Sequence, residues 1–305
     1  MRFGIHALAL VPAFDTDQAL VAVEMAAKVG YDVLELPLFD PGVADLPTLR
    51  KALERAGIGV TCSLGLRFDQ DLSAAGEPGR AGEALLGEVV DAAGELGAEL
   101  VGGVIFSAMG KYAAPATEAD RDRAAAALGR VARRAASGGI HLGLEVVNRY
   151  ESNLVNTVGD ALELIERIGE PNVVVHLDSY HMHIEEPDMV RPVLAAGERL
   201  GYVHVGESNR GHLGTGQVRL AELFGGLELG GYDGIVTFEA FTRSRVSPEL
   251  MGALALWRDT WDDPIELAER ALATMRSLHQ AAGDAARACP GRRGAPPPGV
   301  PDGRR

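Results

Sequence analysis

The sequence predicts an α/β protein, a single (β/α)8 TIM barrel with a disordered C-terminal tail. Three observations carry this. Short β-branched or apolar runs alternate with Ala/Leu/Glu/Arg-rich segments of helical period. Eight such runs occur, each followed by a helical segment and none joined by a hairpin signal, the pattern of a parallel sheet closed on itself. The segment after the first run, "ALALVP", lacks the glycine-rich turn expected of a doubly wound open sheet.

Each element follows from local composition. The first strand, 2–8 (RFGIHAL), has one basic residue and a short apolar stretch with no small-residue cleavage site after it. It reads as a strand and not as a signal peptide. A helix over 17–29 follows. Next come strand 31–37 (YDVLELP) with helix 46–56, strand 58–65 (IGVTCSLG) with helix 80–97, and strand 99–107 (ELVGGVIFS) with helix 118–137. The second half repeats the pattern: strand 140–147 (IHLGLEVV) and helix 157–169, then strand 172–178 (NVVVHLD) and helix 188–199. Strand 201–207 (GYVHVGE) precedes helix 219–229, and strand 234–240 (GIVTFEA) precedes a last helical region over 248–283. Residues 1–283 therefore form one catalytic domain. The remainder, 284–305, is rich in Pro, Gly and Arg and has no apolar period. It buries too little surface to offset ordering entropy and is expected to be disordered.

Composition limits the function. The chain has 305 residues, 47% hydrophobic and 24% charged, and single barrels commonly run to ~250 residues or more. A net charge of −14 repels phosphate backbones and anionic lipid, so nucleic acid and membrane surfaces are not expected partners. No apolar run approaches the ~20 residues of a membrane span. Cys62 and Cys289, the only cysteines, exclude a disulfide framework and fit a reducing cytoplasm.

Four successive strands end in a potential metal ligand: Glu145 in "LGLEVV", Asp178 in "VVVHLD", His204 in "GYVHVGE" and Glu239 in "IVTFEAF". Their separations are 33, 26 and 35 residues (178−145, 204−178, 239−204), each near one βα unit of ~30. The four thus fall on adjacent strands 5 to 8 at their C-terminal ends, where barrel active sites are built. Ionisable groups in apolar strands are costly unless paired or bound to metal. Three carboxylates and one imidazole suit Mn2+ or Mg2+ better than structural zinc, with Co2+ tolerable.

The run "HLDSYHMHIEE" (176–186) is then one wall of the site. Strand alternation aims His176 the same way as Asp178 but one layer deeper, as a supporting or core residue. His181 lies in the loop beyond, within reach of a substrate oxygen, and His183 has no assigned role. Glu185 and Glu186 are placed at the start of the helix near 188. After strand 5, "NRYE" puts Glu151 where it can bond a sugar hydroxyl. After strand 7, "GESNRGHLGTGQ" carries Arg210, either a carbonyl-polarising group or a surface ion pair. Its Gly211, Gly214 and Gly216 fit a phosphate cradle or a mobile lid equally well. No G-x-S-x-G, Walker A, H-E-x-x-H or C-x-x-C motif occurs, and Cys62 reads as core or pocket wall.

The stretches "LGLEVVNRYESNLVNT", "VHLDSYHMHIEE", "YVHVGESNRGHLGTG" and "GYDGIVTFEAF", with "WRDTW" beyond them, resemble the ketose 3-epimerases of the D-tagatose, D-allulose (psicose) and L-ribulose types. The resemblance covers roughly residues 3–280. It implies a barrel with one divalent ion, Mn2+ first with Co2+ or Mg2+ as alternatives, no organic cofactor, and reversible inversion at C3 of a free ketose. It implies that Glu145, Asp178, His204 and Glu239 hold the ion and that Glu145 and Glu239 form the acid/base pair. Glu151, His181, Arg210 and, in the first strand, His6 match groups around the substrate. A homodimer or homotetramer is implied. Leu10, Met109, His183 and Asn209 depart from the family pattern and leave the preferred ketose open. The rival on the same scaffold is an aldose–ketose or hydroxypyruvate-type isomerase.

Overall fold

The structure, a computed structural model, describes residues 1–288. Strands β1 (Arg2–His6), β2 (Val33–Pro37), β3 (Gly59–Ser63), β4 (Leu100–Gly102), β5 (His141–Val146), β6 (Val173–Asp178), β7 (Leu200–Val205) and β8 (Ile235–Phe238) close into a parallel barrel in chain order. The seam is β1 on β8, with Arg2 opposite Ile235 and Ile5 opposite Phe238. Around it run α1 (Thr16–Val29), α2 (Leu46–Ala56), α3 (Glu77–Leu96), α4 (Glu118–Ser137) and α5 (Val158–Ile168). They continue as α6 (Ser179–Glu185), α7 (Arg191–Ala196), α8 (Leu220–Leu229), α9 (Pro248–Ala253) and α10 (Pro264–Ala288). The starts obey capping chemistry. Asp15 and Asp45 accept the N–H of Gln18 and Thr48, and Thr117 and Thr157 form capping boxes with Asp120 and Asp160. Among the described residues, no helix is long and apolar enough to cross a membrane.

Three elements differ from the sequence expectation. The fourth strand stops at Gly102 because Gly103 turns the chain out of the ladder at φ +105°. A Cβ there would lie 2.3 Å from the Leu64 carbonyl oxygen, so the close approach requires glycine. The helix expected over 188–199 is shortened to α7, and α6, which the sequence reading placed in a loop, precedes it. Asp178 both ends β6 and caps α6, its carboxylate accepting the Tyr180 N–H at 2.6 Å. Pro187 then forces Glu186 out of helical conformation, and Asp188 accepts the N–H of Val190 and Arg191 before α7. Glu185 and Glu186 do not start that helix. Glu185 bonds the backbone N–H and guanidinium of Arg149, and Glu186 accepts the N–H of Val158 at the start of α5. Finally, 248–283 splits into α9 and α10, and α10 continues to Ala288, past the boundary read at 283. Residues 289–305, which hold the rest of the expected tail and Cys289, lie outside the described residues.

Side-chain alternation builds the interior in layers. Val33, Leu100, Val174, Tyr202 and Ile235 plug the lower barrel. Residues facing the helices, Cys62 among them, belong to the large core outside. Two residues further along the inward faces come Glu35, Thr61 and His176, all fully buried. The rim above holds the ionisable cluster.

Candidate active site

Glu145 and His204 are next-to-last in β5 and β7, Asp178 is the last residue of β6, and Glu239 follows β8. Asp178 and His204 are register partners, which places them side by side. His204 Nδ1 lies 3.7 Å from Glu145 Oε1, 4.0 Å from Asp178 Oδ2 and 3.6 Å from Glu239 Oε1. These separations exceed hydrogen-bond length, and the buried Nδ1 has no bond at all. An unpartnered imidazole nitrogen facing three carboxylate oxygens is a costly arrangement that a cation relieves. Donor atoms of Asp178, His204 and Glu239 lie within 4.8 Å of one another, and this set could hold a metal ion. Hard oxygens with one imidazole fit the divalent ion expected from sequence.

Beneath the rim lies a residue that the sequence reading did not single out. Glu35 Oε2 accepts a 2.6 Å bond from His204 Nε2 and a 2.7 Å bond from Tyr202. The Tyr202 hydroxyl also meets Thr61 at 2.8 Å and Thr237 at 2.7 Å. With Nε2 committed to Glu35, Nδ1 is the nitrogen aimed into the cluster. Burial alone would raise the Glu35 carboxyl, but the charge and hydrogen bond of His204 hold it far below the usual range. Burial would likewise lower His204, yet Glu35 and Glu239 keep it well above. Glu35 had a legible signal: like the four rim residues, it is a charge inside an apolar strand, "VLELP". His176 packs edge-on against His204 with centroids 4.2 Å apart, in the deeper supporting place expected of it.

The residues expected around the substrate converge on the same rim. His181 is not in a loop but in the first turn of α6, which brings its Nε2 3.8 Å from Glu145 and Asp178 and 3.9 Å from Glu151. Its Nδ1 receives the backbone N–H of Asn148 at 3.1 Å and the side-chain amide at 2.8 Å, so Nε2 carries the proton. Burial, then Arg210, lowers His181 well below the ordinary range and keeps it neutral. The Asn148 amide also donates to Glu151 at 3.0 Å. Burial pushes Glu151 up to about 7 despite Arg210, and Asp178 up to about 6. Burial raises Glu145 as well, against the pull of His204.

Arg210 is buried, which excludes the surface ion pair. Its guanidinium lies 2.5 Å from Glu239 and 3.4 Å from Asp178, stacked 3.7 Å over the Tyr180 ring. His6 lines the pocket, donating from Nε2 toward Ser63 at 3.3 Å. The pocket has Leu8, Phe39, Val104, Met109, Leu250 and Phe241 on its apolar side. Leu8 faces it, whereas Leu10 is in the core. Cys62 is buried core, its thiol pushed up by burial, and His183 is exposed.

The glycine loop after β7 is neither an open cradle nor a free lid. Its N–H groups at Ser208, Gly214 and Val218 already bond the Glu207 carboxylate at 2.8–3.0 Å. A Cβ at Gly216 would stand 2.4 Å from that carboxylate, which is the reason for glycine there. Asn209 and Thr215 tie the turn across at 3.2 Å.

A family model described as the xylose isomerase-like TIM barrel matches residues 23–278. The chain is 46% identical over 278 residues to a ketose 3-epimerase of Arthrobacter globiformis, covering 90% of this chain and 96% of that one. It is 41% identical over 274 residues to an L-ribulose 3-epimerase of Methylomonas sp. (strain DH-1), covering 89% and 96%. A crystal structure of a D-allulose 3-epimerase from Methylomonas sp. in complex with D-allulose has a TM-score of 0.89 at 40% identity, covering 91% of this chain and 97% of that chain.

Proposed function

The chain belongs to the xylose isomerase-like TIM-barrel family and, within it, to the ketose 3-epimerases, and from that premise we propose that it reversibly inverts C3 of free ketoses with a divalent metal ion. It is an epimerase, hence a carbohydrate isomerase. The single observation that carries the metal-dependent reading is the unpartnered, buried His204 Nδ1 facing Glu145, Asp178 and Glu239. These four residues would hold the ion, Mn2+ by preference. When bound, it supplies Lewis-acid stabilisation of the negative charge that develops on the ketose oxygens.

The rest of the chemistry falls to side chains. A C3–H beside a carbonyl is a very weak acid, and inversion requires its removal on one face and a proton delivered on the other. Glu145 and Glu239 come from β5 and β8, three steps apart around the eight-strand ring. One accepts the C3 proton and the enediolate forms across C2 and C3; the other donates its proton to the opposite face of C3. The reverse reaction exchanges their roles, so no redox cofactor is required. Positioned groups of this kind contribute on the order of 10²–10⁴-fold each. The neutral His181 offers its Nε2–H to O1 or O2, oriented by Asn148. Arg210 steadies the oxygen charge, and Glu151, titrating near 7, exchanges hydrogen bonds with a hydroxyl. A preference for free over phosphorylated ketoses is supported by the glycine loop, whose N–H groups are engaged by Glu207. D-fructose/D-allulose, D-tagatose/D-sorbose and L-ribulose/L-xylulose are the pairs proposed, with the protein acting as a homodimer or homotetramer.

Incubation with D-fructose and Mn2+ tests this directly. D-allulose is expected, and an aldose in its place would favour the isomerase reading. Glu239→Gln is expected to lose at least ~10²-fold in turnover with an unchanged far-UV spectrum. Near-normal turnover of that variant refutes the acid/base role.

A further inference from the structure

We propose that Glu207 is a positioning residue, a built-in anion around which the loop over 207–218 folds so that Arg210 is held over Glu239 and Asp178. The assignment rests on Arg210 acting on the substrate and deepens the reading above.

The Glu207 carboxylate is fully buried. Its Oε1 accepts the N–H of Ser208 at 2.8 Å and of Val218 at 3.0 Å, and its Oε2 that of Gly214 at 3.0 Å. Burial would raise its carboxyl, but these bonds, with one from Gly216, hold it below the usual range. Backbone N–H groups converging on a negative charge form the kind of nest that elsewhere binds phosphate. Here the anion comes from the chain itself, and it draws both ends and the middle of the loop to one point.

Arg210 depends on that point. Its N–H donates to the Glu207 carbonyl at 2.8 Å, and its own carbonyl accepts the Phe241 N–H at 3.0 Å. Between these two bonds it sits at φ +57°, a left-handed conformation that arginine rarely adopts. Such a conformation persists only where its surroundings over-determine it. The result is a guanidinium directed onto Glu239 and stacked on Tyr180.

The test uses the full chain with Mn2+ and D-fructose. Glu207→Gln keeps the size but turns one acceptor into a donor facing N–H groups. The value of kcat/KM is expected to fall about 10²-fold, the scale of a ~1 Å misplacement, with Mn2+ affinity and far-UV spectrum unchanged. On an Arg210→Lys background the same change is expected to cost no more than about threefold, because groups that act through one another are not additive. Independently of turnover, the Arg210 Nε–H signal in ¹H–¹⁵N spectra should be sharp in the unaltered chain and broadened in Glu207→Gln. If Glu207→Gln fails to fold, Glu207→Asp, which retracts the charge, is measured in the same terms. Unaltered kcat/KM, a full additional loss on the Arg210→Lys background, or an unchanged Arg210 signal would each overturn the assignment. An unaltered chain without epimerase activity would refute the proposed function, and the Arg210 signal would still decide the role of Glu207.

Discussion

Glu35 and His204 meet across 169 positions of chain at 2.6 Å. Partners of this kind orient a liganding imidazole and raise its basicity, and their loss typically costs 10–100-fold in metal affinity. Glu35→Gln can donate to Nε2 as well as accept from it, so it no longer selects the nitrogen that faces the cluster. Titration calorimetry of Mn2+ is expected to show a 10–100-fold weaker affinity, with Tyr202 retaining its bonds to Thr61 and Thr237. Affinity within twofold of the unaltered chain would remove Glu35 from the site. Asn148 works similarly on the other wall, holding His181 and Glu151 with one side chain. It stands in "NRYE", a motif legible as a site loop, but spacing points to Glu151 and not to the amide that orients it.

At the scale of elements, the glycines separate backbone constraint from helix propensity. Gly103 ends β4 at positive φ against the Leu64 carbonyl, so Gly103→Ala meets backbone at 2.3 Å. A loss of about 1–3 kcal/mol is expected by chemical denaturation. Gly225 lies inside α8 with open space around it, and Gly225→Ala is expected to gain about 0.5–1 kcal/mol. Equal effects in the two variants would contradict this account. The same contrast explains which elements were legible. Helices such as α4 and α5 carry their capping boxes in the sequence, Thr117 with Asp120 and Thr157 with Asp160. The short β4 and the extra helix α6 after β6 depend on φ at Gly103 and on Asp178 serving strand and helix at once, which apolar periodicity does not encode.

At the scale of the whole molecule, the buried carboxyl groups couple stability to pH and to metal. Glu151 and Asp178 titrate near 7 and 6 when folded, above their unfolded values, and Glu145 is also raised. An acid raised on folding contributes stability below its unfolded pKa and loses that contribution as pH rises through the folded one. His204, also raised, acts in the same direction, whereas Glu35, lowered, loses its contribution only in strong acid. His6, His176 and His181, lowered by burial, oppose this trend below about pH 6.5, so thermal unfolding of the metal-free protein should show falling stability only between about pH 7 and 8. The stabilisation by added Mn2+ should grow over the same range, because the ion binds the deprotonated ligands. A metal-free protein that gains stability toward pH 8 would contradict these shifts.

By itself the sequence determined the barrel and the four rim residues, because one ionisable side chain per βα unit translates directly into adjacent strand ends. Only the tertiary structure decided what orients them. Glu35 reaches His204 across the barrel, Arg210 reaches Glu239 from the neighbouring loop, and Glu207 captures its own glycine turn. Such contacts depend on ring closure and on backbone angles, and neither leaves a period in the chain.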